Sequence, residues 1–406
     1  MRTPFLFFVI FFTSGTLALA QESQGNSCIT CHSDMWEEMK GSIHSQNGIT
    51  CNKCHGGDPT QADMDRAKAP ETGYRGIPDK KDIPLICGEC HADVEVMNFY
   101  GIRTDQLARY KTSVHGKKLL LEGDNRVAAC SDCHGYHDVL PVSDPGSPVY
   151  PSNLPKTCNQ CHGNAKLMGS YGLPSDIYET YRNSVHGKAL FEKKDISVAQ
   201  CASCHGGHGA VPPGVKDVGA TCGKCHLNEK KYFLESVHAP LTEKGNFHEC
   251  ISCHGNHGVQ HPTPDLYQTA CGTCHDPQSP EAQQGQELAR MIRGAQQSLA
   301  GAQALVKQAS VEGIFVEQEE ASLDEAKTKS IEMGPAQHTL SLSKIADLHD
   351  KIVATVGEVE AKILEKRENL RWRKVSLIFV WIFVLGMVVA LRAKYKQLNA
   401  DRKDYE

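Results

Sequence analysis

Residues 130–137 read Cys130-Ser131-Asp132-Cys133-His134-Gly135-Tyr136-His137, and their first five positions set a pattern that absorbs every cysteine in the chain. The same C-x-x-C-H spacing recurs at Cys28, Cys31 and His32, at Cys51, Cys54 and His55, at Cys87, Cys90 and His91, and at Cys158, Cys161 and His162. It returns at Cys201, Cys204 and His205, at Cys222, Cys225 and His226, at Cys250, Cys253 and His254, and at Cys271, Cys274 and His275. Eighteen cysteines make nine copies with none left over. Two thiols at this spacing can each add to one vinyl group of a haem, and the adjacent histidine is then held under the iron as an axial ligand. Paired cysteines also hold zinc or iron–sulfur clusters, and an even count is compatible with disulfides. Neither reading explains a histidine after every second cysteine. The copies predict nine covalently bound haems c.

Around the motifs lies a repeat. A Ser-x-His element precedes a motif four times: Ser42-Ile43-His44, Ser113-Val114-His115, Ser184-Val185-His186 and Ser236-Val237-His238. In the last three units the next motif is followed by a further histidine three residues on, namely His137, His208 and His257, and each unit closes with a second motif. Haems 2–9 thus form four two-haem modules, with haem 1 ahead of them. The first module departs from the rule, because after His55 the chain reads Gly56-Gly57-Asp58.

Eleven of the twenty histidines lie outside the motifs, nine of them before the helical region. A lone histidine is usually a solvated or hydrogen-bonded side chain. Recurrence at set offsets instead marks His115, His137, His186, His208, His238 and His257 as distal ligands, two per module, and His44 joins them. His248, His261, His338 and His349 lie outside the repeat and stay open between distal ligand and ordinary polar side chain. Haems 1–3 have only His44 nearby, so Met35 is either a ligand of haem 1 or a packing residue. If no side chain arrives, one iron is open.

The ends of the chain place it. Met1 and Arg2 lead into an apolar run to Ala18-Leu19-Ala20, which reads as a signal peptide over residues 1–20, with a retained anchor as the other reading. Val375–Leu391 holds seventeen uncharged residues, roughly 25 Å of helix. Trp372 and Tyr395 flank the run, and Arg371, Arg373, Lys374, Arg392, Lys394 and Lys396 bracket it. That pattern predicts a transmembrane helix over residues 371–395 rather than a buried core helix. The expected topology is single-pass in a bacterial inner membrane, with the haem domain in the periplasm and residues 396–406 as a cytoplasmic tail.

Residues 21–280 carry about one haem per twenty-nine residues and little spare apolar sequence, so porphyrins should form the core of a nonahaem cytochrome domain. Residues 281–370 turn to Ala, Gln, Glu, Lys and Leu. One apolar stripe is Leu288, Met291, Ala295, Leu299, Ala302, Leu305 and Ala309; another is Ile345, Leu348, Ile352, Val356, Val359 and Ile363. Near-heptad seams of this kind predict an antiparallel helical bundle or stalk, interrupted at Gly313 and turned at Gly334-Pro335. The expected fold is mainly α with extensive loops: a haem-packed domain, a long helical bundle or hairpin, and one C-terminal membrane helix.

The doubled C-x-x-C-H modules resemble the multihaem cytochromes c of anaerobically respiring bacteria over residues 28–275. Cys28–Gly57, with Met35, Met39, His44 and the second motif, is similar to the start of the membrane quinol dehydrogenases that feed periplasmic nitrate and nitrite reductases. There the methionine falls two residues after the first motif histidine and the anchor is N-terminal; here it falls three after, and the anchor is C-terminal. The resemblance implies electron transfer between the quinone pool, with menaquinol as a candidate donor, or a membrane partner and periplasmic redox proteins. The rival is a terminal reductase of a small nitrogen or sulfur compound at an open iron. No nucleic-acid partner is expected. The bundle offers a surface for self-association. Net charge is −5 and haem propionates would add to it, which suits a basic redox partner.

Overall fold

The computed structural model describes residues 25–210, 218–243 and 247–403, so the signal-peptide expectation lies outside the described residues. Among them the chain is helical with long connections and without strands. It divides into two compact units, Met1–Val215 with Asn256–His261, and Lys216–Gly255 with Pro262–Glu406.

The first unit is built from helices of one or two turns. The motif Cys130–His134 is a single helical turn, as are Cys51–His55 and Cys201–His205. A helical turn brings positions i, i+3 and i+4 to one face. In these three motifs both thiols and the histidine therefore share one face. A glycine ends each turn with positive φ: Gly56 at 68°, Gly135 at 85° and Gly206 at 79°. That left-handed backbone lets the chain leave sharply after the histidine, which is why glycine follows it.

The serines of the Ser-x-His elements start helices. Ser113 Oγ accepts from the Gly116 amide at 2.9 Å, and Ser184 Oγ from the Gly187 amide at 3.0 Å. Both serines, and Ser42, are buried. Each caps a helix whose second residue is the histidine. Gly116 and Gly187 sit against the carbonyls of Tyr110 and Tyr181, where a Cβ would collide with backbone. Those tyrosines hold each module to its next motif: Tyr110 donates to the Ala128 carbonyl at 2.8 Å, and Tyr181 to that of Ala199 at 2.9 Å. The largest apolar cluster of this unit is small, with Tyr110, Leu119, Val127 and Ala129 at its centre.

In the second unit the motifs at Cys222, Cys250 and Cys271 share a body with three helices: α1 (Pro280–Val311), α2 (Glu317–Ala336) and α3 (Leu342–Lys403). The two predicted stripes are buried, except that Val306 takes the seam position expected of Leu305. Gly313, with φ of 84°, lies in the first break, as expected. Arg367 on α3 grips Glu312 through two bonds of 2.9 Å, while Gln284 on α1 donates to the Leu340 carbonyl at 2.6 Å. So α1 and α3 run parallel and pack on each other, and α2 runs back antiparallel to both.

The second turn differs from expectation. Helix α2 continues through Gly334 and Pro335, and the chain reverses at a 3-10 turn, Gln337–Thr339, followed by Leu340 at φ 55°. Gly334 has no side chain to meet the proline ring, so the residue before proline stays helical and the break moves on. Helix α3 runs unbroken for 62 residues, about 90 Å. Its lower half packs on α1 and α2. Beyond Arg371 its apolar side chains, among them Phe379, Trp381 and Phe383, are exposed all round, and this stretch is long and apolar enough to cross a membrane.

Candidate metal centres

The decisive geometry is a set of imidazole pairs. His44 faces His91 with ring centres 6.1 Å apart, His55 faces His137 at 6.4 Å, and His115 faces His162 at 6.1 Å. His134 faces His208 at 6.0 Å, and His205 faces His257 at 5.8 Å. In the second unit His238 faces His275 at 6.2 Å and His254 faces His338 at 6.0 Å. Every pair joins one motif histidine to one non-motif histidine. The interplanar angles scatter from 5° to 66°. A shared separation with free rotation is not what ring stacking produces. It is what a metal between two imidazole nitrogens requires: bonds of about 2 Å, as in zinc sites, plus ~1.1 Å from each nitrogen to its ring centre, give roughly 6 Å.

The donors suit haem and little else. Among the described residues no three His, Cys, Asp or Glu side chains converge as a metal cluster would need. Each pair instead comes with two thiols on the helical turn of its motif histidine. Burial holds the rings of His44, His91, His115, His134, His162, His208, His238, His254 and His257 below the usual histidine range. A neutral ring is the form that ligates metal. The Nδ1 of His55 lies 2.8 Å from the Gly76 carbonyl oxygen, so Nε2 is the nitrogen that would hold a metal.

The motifs also neighbour one another in chain order. Contact with the Cys130 thiol, together with burial, pushes the Cys87 thiol up, and Cys201 does the same to Cys158. Cys222 does so to Cys250, and burial with help from Cys271 lifts Cys253 to about 11. Burial also raises Cys28, Cys54 and Cys133, with contributions from Cys51, Cys87 and Cys161 in turn. Sulfurs of consecutive motifs thus lie close together through the first six motifs in one unit and the last three in the other.

Pairing follows two rules. The Ser-x-His histidine faces the second motif of its own module, as in His44 with His91, His115 with His162 and His238 with His275. The histidine after a first motif faces the first motif of the preceding module, as in His137 with His55, His208 with His134 and His257 with His205. Backbone bonds lock this handover. The amides of Ile43, Val114 and Val185 donate to the carbonyls of Val139, Ala210 and Val259, each two residues past the donated histidine. The sequence expectation gave His115, His137, His186, His208, His238 and His257 to the haems of the last three modules without assigning pairs; His137 instead faces His55 of the first module. The repeat could not reveal it, since pairing within a module and handover between modules have the same spacing.

The other candidates lie as follows. His186 lies on the helix Val185–Phe191, and His226 caps Leu227–Phe233. His349 pairs with Asp350 at 2.9 Å instead of with a motif. His32 has no imidazole partner among the described residues, and Met35 is partly exposed while Met39 is buried. Tyr110 and Tyr181 were not among the expected site residues, although Tyr-x-x-Ser-Val-His-Gly recurs around them in the sequence.

Seen together, C-x-x-C-H turns facing second imidazoles are the arrangement that a multihaem cytochrome c uses to hold its haems. A family model described as cytochrome c3 matches residues 43–163, two whole modules with four motifs, and supports a multihaem electron-transfer cytochrome with covalently bound haem c. No curated protein and no solved structure matches the chain.

Proposed function

We propose that the protein is a membrane-anchored, nonahaem c-type cytochrome that relays electrons between the quinone pool or a membrane partner and periplasmic redox proteins. The observation that carries this is the serial arrangement: imidazole pairs at one separation, on motifs whose sulfurs neighbour each other in chain order. The nine cysteine pairs hold the haems covalently. His32, His55, His91, His134, His162, His205, His226, His254 and His275 supply the first axial nitrogen. His44, His115, His137, His186, His208, His238 and His257 supply second nitrogens. Bound haem c contributes a reversible one-electron iron couple, tuned by axial ligands, burial and hydrogen bonds. The motif segment is residues 21–280, the stalk 281–370 and the anchor 371–395, in a bacterial inner membrane with the haems on the periplasmic side.

Intact mass and pyridine haemochrome of the exported protein should give nine haems, and membranes holding it should reduce them with a menaquinol analogue. Fewer haems sinks the count; no reduction without a further subunit sinks direct quinol contact.

One observation favours a second reading, chemistry at an open iron. By the handover rule, haem 1 would take its ligand from position 58, which is an aspartate. The Asp58 carboxylate is occupied by the Thr60 amide at 2.9 Å, the Thr60 hydroxyl at 2.7 Å and Gln61 at 3.2 Å. Carbon monoxide should then bind one haem of the native protein, at His32. Uptake of none leaves pure electron transfer.

A further inference from the structure

The handover rule needs a successor for every module, and the last module has none. Its first motif histidine, His254, would pair with a histidine from a fifth module that the chain does not contain. The structure fills the gap from outside the cytochrome segment. The ring facing His254 belongs to His338, 84 residues on, in the 3-10 turn between α2 and α3.

That turn is built to hold the ring. His338 Nδ1 lies 3.1 Å from the Pro335 carbonyl oxygen, so Nε2 is the free nitrogen, as at His55. Thr339 is buried and donates to the Ala336 carbonyl at 2.9 Å. Gln337 accepts a bond of 3.1 Å from the Tyr267 hydroxyl, which ties the turn to the segment between the last two motifs. Leu340 adopts a left-handed backbone, costly for a branched-at-γ residue without glycine's freedom, and its carbonyl is met by Gln284. Such a conformation persists only where its surroundings demand it.

We infer that His338 is the sixth ligand of the iron held by Cys250, Cys253 and His254. The helical region is then part of the cofactor site as well as a stalk. Pulling α2 and α3 apart would strip an axial ligand from haem 8, and ligation of haem 8 in turn clamps the turn shut. This rests on the haem reading above.

The test uses the full-length, haem-loaded protein in detergent. In His338→Ala, one haem should pass from low spin to high spin by low-temperature EPR, and carbon monoxide uptake should rise by one equivalent over the native protein, with haem content unchanged. In His338→Met, one haem should remain low-spin and move to higher potential, as methionine ligation does. His349→Ala, on the same helical region, should change neither reading. Unaltered spin states, carbon monoxide uptake and potentials in both His338 variants overturn the inference. If His338→Ala loses haem, the His338→Met potential decides, and no shift there is equally fatal. A native protein without haem would instead refute the cytochrome reading itself, so the two failures are distinguishable.

Discussion

The motif-bearing segment and the helices after it meet the same requirement, enough hidden apolar surface to hold a fold, with different material. Helices α1–α3 do so with aliphatic side chains: Ile345, Ile352 and Ile363 are wholly buried, and Leu288, Ala295 and Ala302 meet them along one seam. The first unit has an apolar cluster centred on four residues, and its other regularities are capped serines, single helical turns and facing imidazoles. Apolar burial yields about 25 cal/mol per Å². On the proposed reading, covalently bound haems supply the apolar surface that the side chains of that segment do not. One chain then carries an aliphatic core in one segment and a cofactor-built one in another.

The comparison breaks most sharply if haem is withheld. Produced in cells unable to attach haem, the protein should lose the ordered structure of residues 25–210, as small metal-dependent domains do when empty. Limited proteolysis should then degrade that segment and spare a helical fragment from Pro280 to the membrane. Survival of both halves would show that the first unit needs no porphyrin.

A smaller effect probes the other half. Ile352→Ala leaves a cavity in the seam and should cost about 2–5 kcal/mol in the helical region. Circular dichroism should show its melting transition falling, while absorbance in the haem bands stays constant below that transition. The smallest effect concerns the surface. Arg367→Ala removes the paired bonds to Glu312, but both side chains are partly solvated, so the loss should be below about 1 kcal/mol. A larger loss would mean that the end of α1 is held by charge and not by the seam.

Much of this was legible without coordinates. Nine C-x-x-C-H motifs, the amphipathic stripes and the apolar run near Val375 are local patterns, and a helical turn converts each into a face. The shift from Leu305 to Val306 and the turn three residues beyond Pro335 were not legible. Both depend on how α1 and α2 settle against α3.

What the residues alone determined is the chemistry: thiols at i and i+3 with a histidine at i+4 prepare one face for a covalent haem, whatever surrounds it. What only the tertiary structure decided is which imidazole faces a given motif histidine. His55 and His137 lie 82 residues apart, and His254 and His338 lie 84 apart. No local spacing encodes partners at that range; they meet because capped helices, tyrosine anchors and a strained turn bring separate modules to one distance.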